Sequence, residues 1–244
     1  MTKRGIEVTE EPNYRDYLEL DTLLSLQKPR SAASAATKST VLSEQFFIIA
    51  HQTSELWLTQ VIADLEAVID TFTTTDDMSR AEWVIDLLQR AAELVRLLHS
   101  QLTALDRLSL SDFAAFRPLL GTASGAQSQQ FRRLAQLIGD AKHDGPLYES
   151  FTAWVARSGQ SVTELALKGT EANAYYRIID VMLDIGNAYW RWQVCHIGLV
   201  SRIMGSQPGT GGTSGAGYLL DRCTLPFSEL RELRGKAHVG LSVA

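Results

Sequence analysis

Two histidines of this chain stand where an imidazole could do chemistry. His51 sits inside EQFFIIAHQTSELWLTQ (Glu44 to Gln60), directly behind the apolar residues Phe46 to Ala50. On a helix, Glu44, Phe47, His51, Glu55 and Leu58 fall close to one stripe, and a helix that is apolar nearly all round is expected to be buried. His196 has Trp192 one turn before it and Leu199, Val200 and Ile203 one to two turns after it. A buried imidazole needs a hydrogen-bond partner or a ligand. One axial imidazole in an apolar helical slot is also what a haem requires. Taken alone, either histidine is more often a packed core residue, so the residues leave both readings open. The other histidines offer less. His143 lies in a Lys-His-Asp-Gly turn, His99 follows two leucines on a helix, and His238 stands among charges near the C-terminus.

Competing chemistries lack their residues. Di-iron carboxylate bundles need Glu-x-x-His pairs on two helices, and neither these nor a His-Glu-x-x-His zinc motif occurs. A Walker phosphate loop is absent. The stretch Gly209 to Gly217, GTGGTSGAG, is rich in glycine but follows a helix, whereas the dinucleotide fingerprint follows a strand. It reads either as a flexible linker or as a lid over a site. Arg117 precedes Pro118, which biases it away from helical geometry. A planar guanidinium there could hold a carboxylate through two charge-assisted hydrogen bonds.

The elements that must position these groups read as helices. Apolar residues recur at three- and four-residue spacing over 17–26, 41–72, 81–105, 127–137, 147–155 and 175–204, with no strand alternation. Lys28 to Thr40 is small and polar and reads as a mobile connection. Asp77 or Ser79 is a candidate N-cap, Gly139 to Gly145 a turn, and Gly205 a helix stop. The expectation is an all-α chain of one domain spanning 1–244. Its 244 residues suffice for a proper core, with 45% hydrophobic and 21% charged residues. A net charge of −5 with interspersed signs argues against nucleic-acid binding. No apolar run is long enough for a membrane span or a leader, and Cys195 and Cys223 make no disulfide framework, so the cytoplasm is expected.

Four stretches, in order, resemble the tryptophan 2,3-dioxygenase family: NYRDYLELDTLLSLQKP (Asn13 to Pro29), EQFFIIAHQTSELWL, FRPLLGTASGAQSQQFR (Phe116 to Arg132) and HIGLVSRIMGSQPGTGGTSGAGYL (His196 to Leu219). The resemblance implies a helical bundle enclosing haem b, active in its ferrous form with O2 as co-substrate. His196 would be the axial ligand of the haem iron, with Trp192, Gly211 and Ser124 beside the cofactor. His51 would lie on the distal side near the indole nitrogen of a tryptophan-like substrate. Phe47 and Phe113 would wall the indole, Arg117 would hold the carboxylate, and Thr210 would contact the ammonium group. Tyr14, Tyr17 and Leu18 would complete the pocket of a neighbouring subunit, in a homotetramer or other homo-oligomer assembled through residues 1–40.

The implied reaction is oxygen insertion at the indole C2–C3 bond, with ring cleavage to N-formylkynurenine as the family default. This chain departs from the family pattern at two places. Leu42, Ser43 and Glu44 replace His-Asp-Glu, and Trp192-Gln193-Val194-Cys195-His196 replaces Trp-Arg-Phe-Arg-His. The chain is also short, with the region 139–176 compressed. These departures keep two alternatives open. One is mono-oxygenation to a 2-oxindole in secondary metabolism; the other is a non-catalytic haem- or indole-binding protein.

Overall fold

The computed structural model describes residue 11 and residues 13–34 and 36–241, with backbone alone for 237–241. The N-terminal stretch on which the no-leader reading rests, and the side chain of His238, lie outside the described residues. All regular structure among the described residues is helical; one isolated bridge, Gly139 with Asp144, closes the turn expected there.

Three long helices make the frame: α3 (Lys38–Thr74), α4 (Ala81–Leu105) and α9 (Asn173–Met204). They follow α1 (Tyr14–Tyr17) and α2 (Leu20–Leu24), and enclose α5 (Leu110–Phe116), α6 (Gln129–Ile138), α7 (Pro146–Arg157) and α8 (Val162–Lys168) in chain order. The chain closes with α10 (Ala216–Leu220) and α11 (Ser228–Leu241). Helix α4 packs along both α3 and α9, while α6 and α7 pack on α3. The apolar stripe of α4, Val84, Ile85, Leu88, Ala91, Val95 and Leu98, is buried at helical spacing. It meets Leu58, Val61, Leu65 and Val68 of α3 and Ile178, Met182 and Ile185 of α9 in one core.

Several local expectations hold and some are corrected. Asp77 caps a 3-10 turn, Met78–Arg80, that leads into α4. Gly205 ends α9 with φ of +56°, a conformation that costs glycine nothing. The single helix expected over 17–26 is instead two short ones, because Glu19 turns left-handed at φ of +50°. The connection at 28–40 contains a 3-10 turn, Arg30–Ala33. The buried carboxylate of Glu44 accepts the N–H groups of Arg30 and Ser31 at 3.0 and 2.8 Å, which anchors that turn to α3. Helices α5, α8, α10 and α11 went unread in the sequence; three of them span seven residues or fewer, too short for a clear period.

Candidate active site

His51 lies in the middle of α3, and its surroundings correct the expectation of a core position. The residue is exposed, as is Ile49. Even so, desolvation is the leading influence on its pKa, which falls below the usual 6.5. Accessible and desolvated at once, the imidazole sits in a recess and not on a convex surface. Its Nδ1 lies 2.7 Å from the carbonyl oxygen of Phe47. A carbonyl can only accept, so Nδ1 carries the proton and donates it. Nε2 is left as an acceptor. The rings of Phe47 and His51 are 4.1 Å apart, which fixes the orientation of the imidazole.

His196 on α9 lies near that imidazole, close enough that His51 lowers its pKa as a secondary influence. Burial is the main cause, and together they bring His196 to about 4. It is therefore a neutral imidazole at physiological pH, the form that ligates metals. No protein atom among the described residues hydrogen-bonds its ring. Trp192 tilts against it at 5.2 Å and stacks in turn on Phe131 at 4.4 Å and Tyr189 at 5.9 Å. Next in sequence to His51, Ala50 of α3 packs with Leu102 and Leu105 of α4 and Leu199 of α9 in one apolar cluster, with Phe46 and Ile203 alongside. Two neutral imidazoles over apolar walls fit a haem, which needs one nitrogen ligand and a dry slot.

Several residues expected on the substrate side gather nearby. Phe47 contacts Phe113 at 6.0 Å and Phe116 at 5.6 Å, while Phe113 and Phe116 pack edge to face at 5.3 Å. Phe116 is fully buried and, although not singled out from the sequence, supports this wall. Arg117 follows at the end of α5 and borders a cleft of about 210 Å³ with Phe113, Ile203, Met204 and Gln207. Contrary to expectation, Arg117 keeps helical dihedrals, φ −49° and ψ −41°. Pro118 opens a 3-10 turn, Arg117–Leu120, at a first-turn position where its missing N–H costs nothing. Nη2 of Arg117 donates to the carbonyl of Pro208 at 2.6 Å, but its Nε is buried without a partner. A buried guanidinium donor lacking an acceptor is costly unless something else supplies one.

The glycine loop lies over this corner. Thr210 donates its hydroxyl proton to the carbonyl of Ala123. Gly211 packs so tightly on Ser124 that a Cβ there would fall 2.8 Å from the serine Cβ. The loop is thus held at Pro208, Thr210 and Gly211 and does not behave as a free linker.

Tyr14, Tyr17 and Leu18 are not brought to this site. They are 76%, 76% and 40% exposed, on α1 and its C-cap. Gln52, next to His51, instead holds the chain after α2: Gln27 donates to its side-chain oxygen at 2.8 Å, and Gln52 donates to the Leu26 carbonyl at 3.3 Å. Of the other histidines, His143 is exposed beside Asp140 and His99 is half-buried.

The family model for tryptophan 2,3-dioxygenase matches residues 3–150 and 167–234. The chain belongs to the tryptophan 2,3-dioxygenase family. It is 28% identical to a tryptophan 2,3-dioxygenase of Bordetella parapertussis, covering 95% of this chain and 93% of that protein. It is 28% identical to one from Caulobacter vibrioides, covering 94% and 100%, and 30% identical to one from Xanthomonas euvesicatoria, covering 91% and 86%. The 151–166 gap in the family match falls inside the region that the sequence shows as shortened; here it holds the end of α7 and the start of α8.

Proposed function

We propose that this protein is a haem-dependent dioxygenase that opens the indole ring of L-tryptophan, giving N-formylkynurenine. One observation carries the reading. His51, whose Nε2 is an acceptor, adjoins Phe47, and Arg117, whose Nε is a donor without a partner, borders Phe113 in the same aromatic cluster. An indole amino acid presents the complement: an N–H at one end and a carboxylate at the other, with a flat apolar ring between.

His196 would hold the iron, and Trp192, Ser124 and Gly211 would line the cofactor. Ferrous haem, when bound, supplies the activation of O2. The protein's own part is placement and exclusion of water. Phe47 and Phe113 hold the indole face. His51 accepts the indole N–H, which fixes the orientation of the indole ring. Arg117 holds the carboxylate. The hydroxyl of Thr210, its proton already given to Ala123, has lone pairs left and so suits an ammonium group. The glycine loop, held at Pro208, Thr210 and Gly211, covers the amino-acid end.

The exposed tyrosines of α1 complete the pocket of a second copy in a homo-oligomer, a homotetramer in this reading. No described helix is long and apolar enough to cross a membrane. The free cysteines Cys195 and Cys223 fit a reducing cytoplasm.

The test is product mass after incubating the haem-loaded protein with L-tryptophan and O2. A product heavier by both oxygen atoms, labelled twice from 18O2, is expected. A single added oxygen would replace the reading with mono-oxygenation, and no turnover together with haem binding would leave a binding protein.

The state of His51 also predicts a pH profile. Its pKa is held below 6.5, so Nε2 mostly keeps its lone pair at neutral pH. As pH falls through the lowered value, Nε2 gains a proton and meets the indole N–H donor to donor. Tryptophan turnover should fall along an acid limb whose midpoint lies below pH 6.5, and His51→Phe should lack that limb. A limb centred above 6.5 that survives in the variant would remove His51 from the binding step.

A further inference from the structure

We infer that Asp112 is a positioning residue for the amino-acid end of the substrate: it fixes the height of Arg117 against His51 by locking α5 to the first turns of α3. The inference rests on the reading of Arg117 as the carboxylate clamp.

Asp112 occupies the first turn of α5, where an acidic side chain ordinarily serves its own helix by reaching back to the exposed N–H groups. Here it turns away to α3. Its Oδ2 accepts the hydroxyls of Ser39 and Ser43, each at 2.8 Å, and its Oδ1 accepts that of Thr40 at 3.1 Å. These residues lie on one side of the first two turns of α3. That helix start is itself fixed by Thr37, whose hydroxyl oxygen accepts the Thr40 N–H at 3.2 Å. Ser109 caps α5 in the same way, accepting the Asp112 N–H at 3.3 Å. The carboxylate is therefore a cross-brace between two capped helix starts, and it is buried. An ionised carboxylate is acceptor-only, so three hydroxyl donors satisfy it without competition, and its pKa is held below the usual range, chiefly by Ser39 and Ser43.

The brace bears on the site through its neighbours. Phe113 is the next residue and meets Phe47 of α3 at 6.0 Å; Arg117 lies one and a half turns further along α5. Helix α3 carries His51 three turns beyond the Asp112 contacts. The separation of His51 Nε2 from the Arg117 guanidinium is thus set by how α5 registers on α3. The opposite flank is tied separately, by Arg30 donating to the Leu119 carbonyl at 3.1 Å and by Arg117 to Pro208. With the Asp112 brace lost, a small shift of α5 on α3 would carry the clamp with it relative to His51. A substrate reaching both ends would feel this, and one lacking the carboxylate would not.

Binding to the haem-loaded protein decides it, with L-tryptophan and tryptamine, the same molecule without the carboxylate, as probes. Asp112→Asn, and independently the pair Ser39→Ala with Ser43→Ala, should weaken L-tryptophan binding about tenfold, the loss expected for one charge-assisted hydrogen bond. Tryptamine binding should change less than about twofold, within the range of an unperturbed site. In an Arg117→Ala background, Asp112→Asn should have no further effect on L-tryptophan, because both act through one contact. Equal weakening of both ligands, or additive losses in the double variant, would show a merely structural brace and overturn the inference. Failure of the unmodified protein to bind L-tryptophan would instead overturn the reading of Arg117, and the inference with it.

Discussion

Replacing His196 with alanine is expected to abolish haem retention, read as loss of the Soret band after reconstitution and desalting. The ring is neutral, with its pKa lowered to about 4, and makes no hydrogen bond to the described residues, so its nitrogen is free for coordination. Its backing by Trp192, itself stacked on Phe131 and Tyr189, leaves the imidazole little freedom to turn away. The paired control is His51→Ala. His51 has its Nδ1 bonded to Phe47 and its ring against the Phe47 ring, and in the proposed function it serves the substrate. That variant should keep haem and lose affinity for indole substrates. Added imidazole should restore a Soret band to His196→Ala by entering the space the side chain vacates. Undiminished haem binding by His196→Ala, with loss in His51→Ala, would exchange the two roles.

The second large effect is at Arg117. Its Nε is buried without an acceptor, while Nη2 is engaged with Pro208, so truncation removes both a substrate contact and a tie to the glycine loop. Removing one member of a buried charge-assisted pair costs about 2–5 kcal/mol. Arg117→Ala should therefore lower kcat/KM for L-tryptophan by roughly two to three orders of magnitude at the middle of that range. Lysine should rescue poorly, because an ammonium cannot reproduce the planar fork. The haem spectrum without substrate should be unchanged. Unaltered kinetics in Arg117→Ala would reject the clamp.

Much of this was legible in the chain because it is local. The apolar period of α3, α4 and α9 persists over 37, 25 and 32 residues, and such patterns report helix directly. Helix stops and caps at Gly205 and Asp77 are equally local, since they depend on the φ of one residue or on a side chain reaching two residues along. Other features were misread for equally physical reasons. Pro118 disfavours a helical residue before it but does not forbid one, and Arg117 stays helical because a 3-10 turn takes over at the proline. His51 seemed buried because hydrophobicity all round a helix implies neighbours on every side; at Ile49 and His51 the packing leaves a recess instead. Asp112 and Glu44 carried only faint signals: an acid in a helix's first turn, and another on the His51 stripe.

What the sequence determined by itself was the set of helices, the two imidazoles worth asking about, and the family to which four motifs point. Tertiary structure decided which way those groups face. It set the His51 tautomer through a backbone carbonyl one turn away, and joined Asp112 to Ser39, 73 residues earlier, and Arg117 to Pro208, 91 residues later. Such pairings depend on how helices register against each other, and that register is settled by the packing of a whole core, whereas a helical period is written within a few turns of one chain.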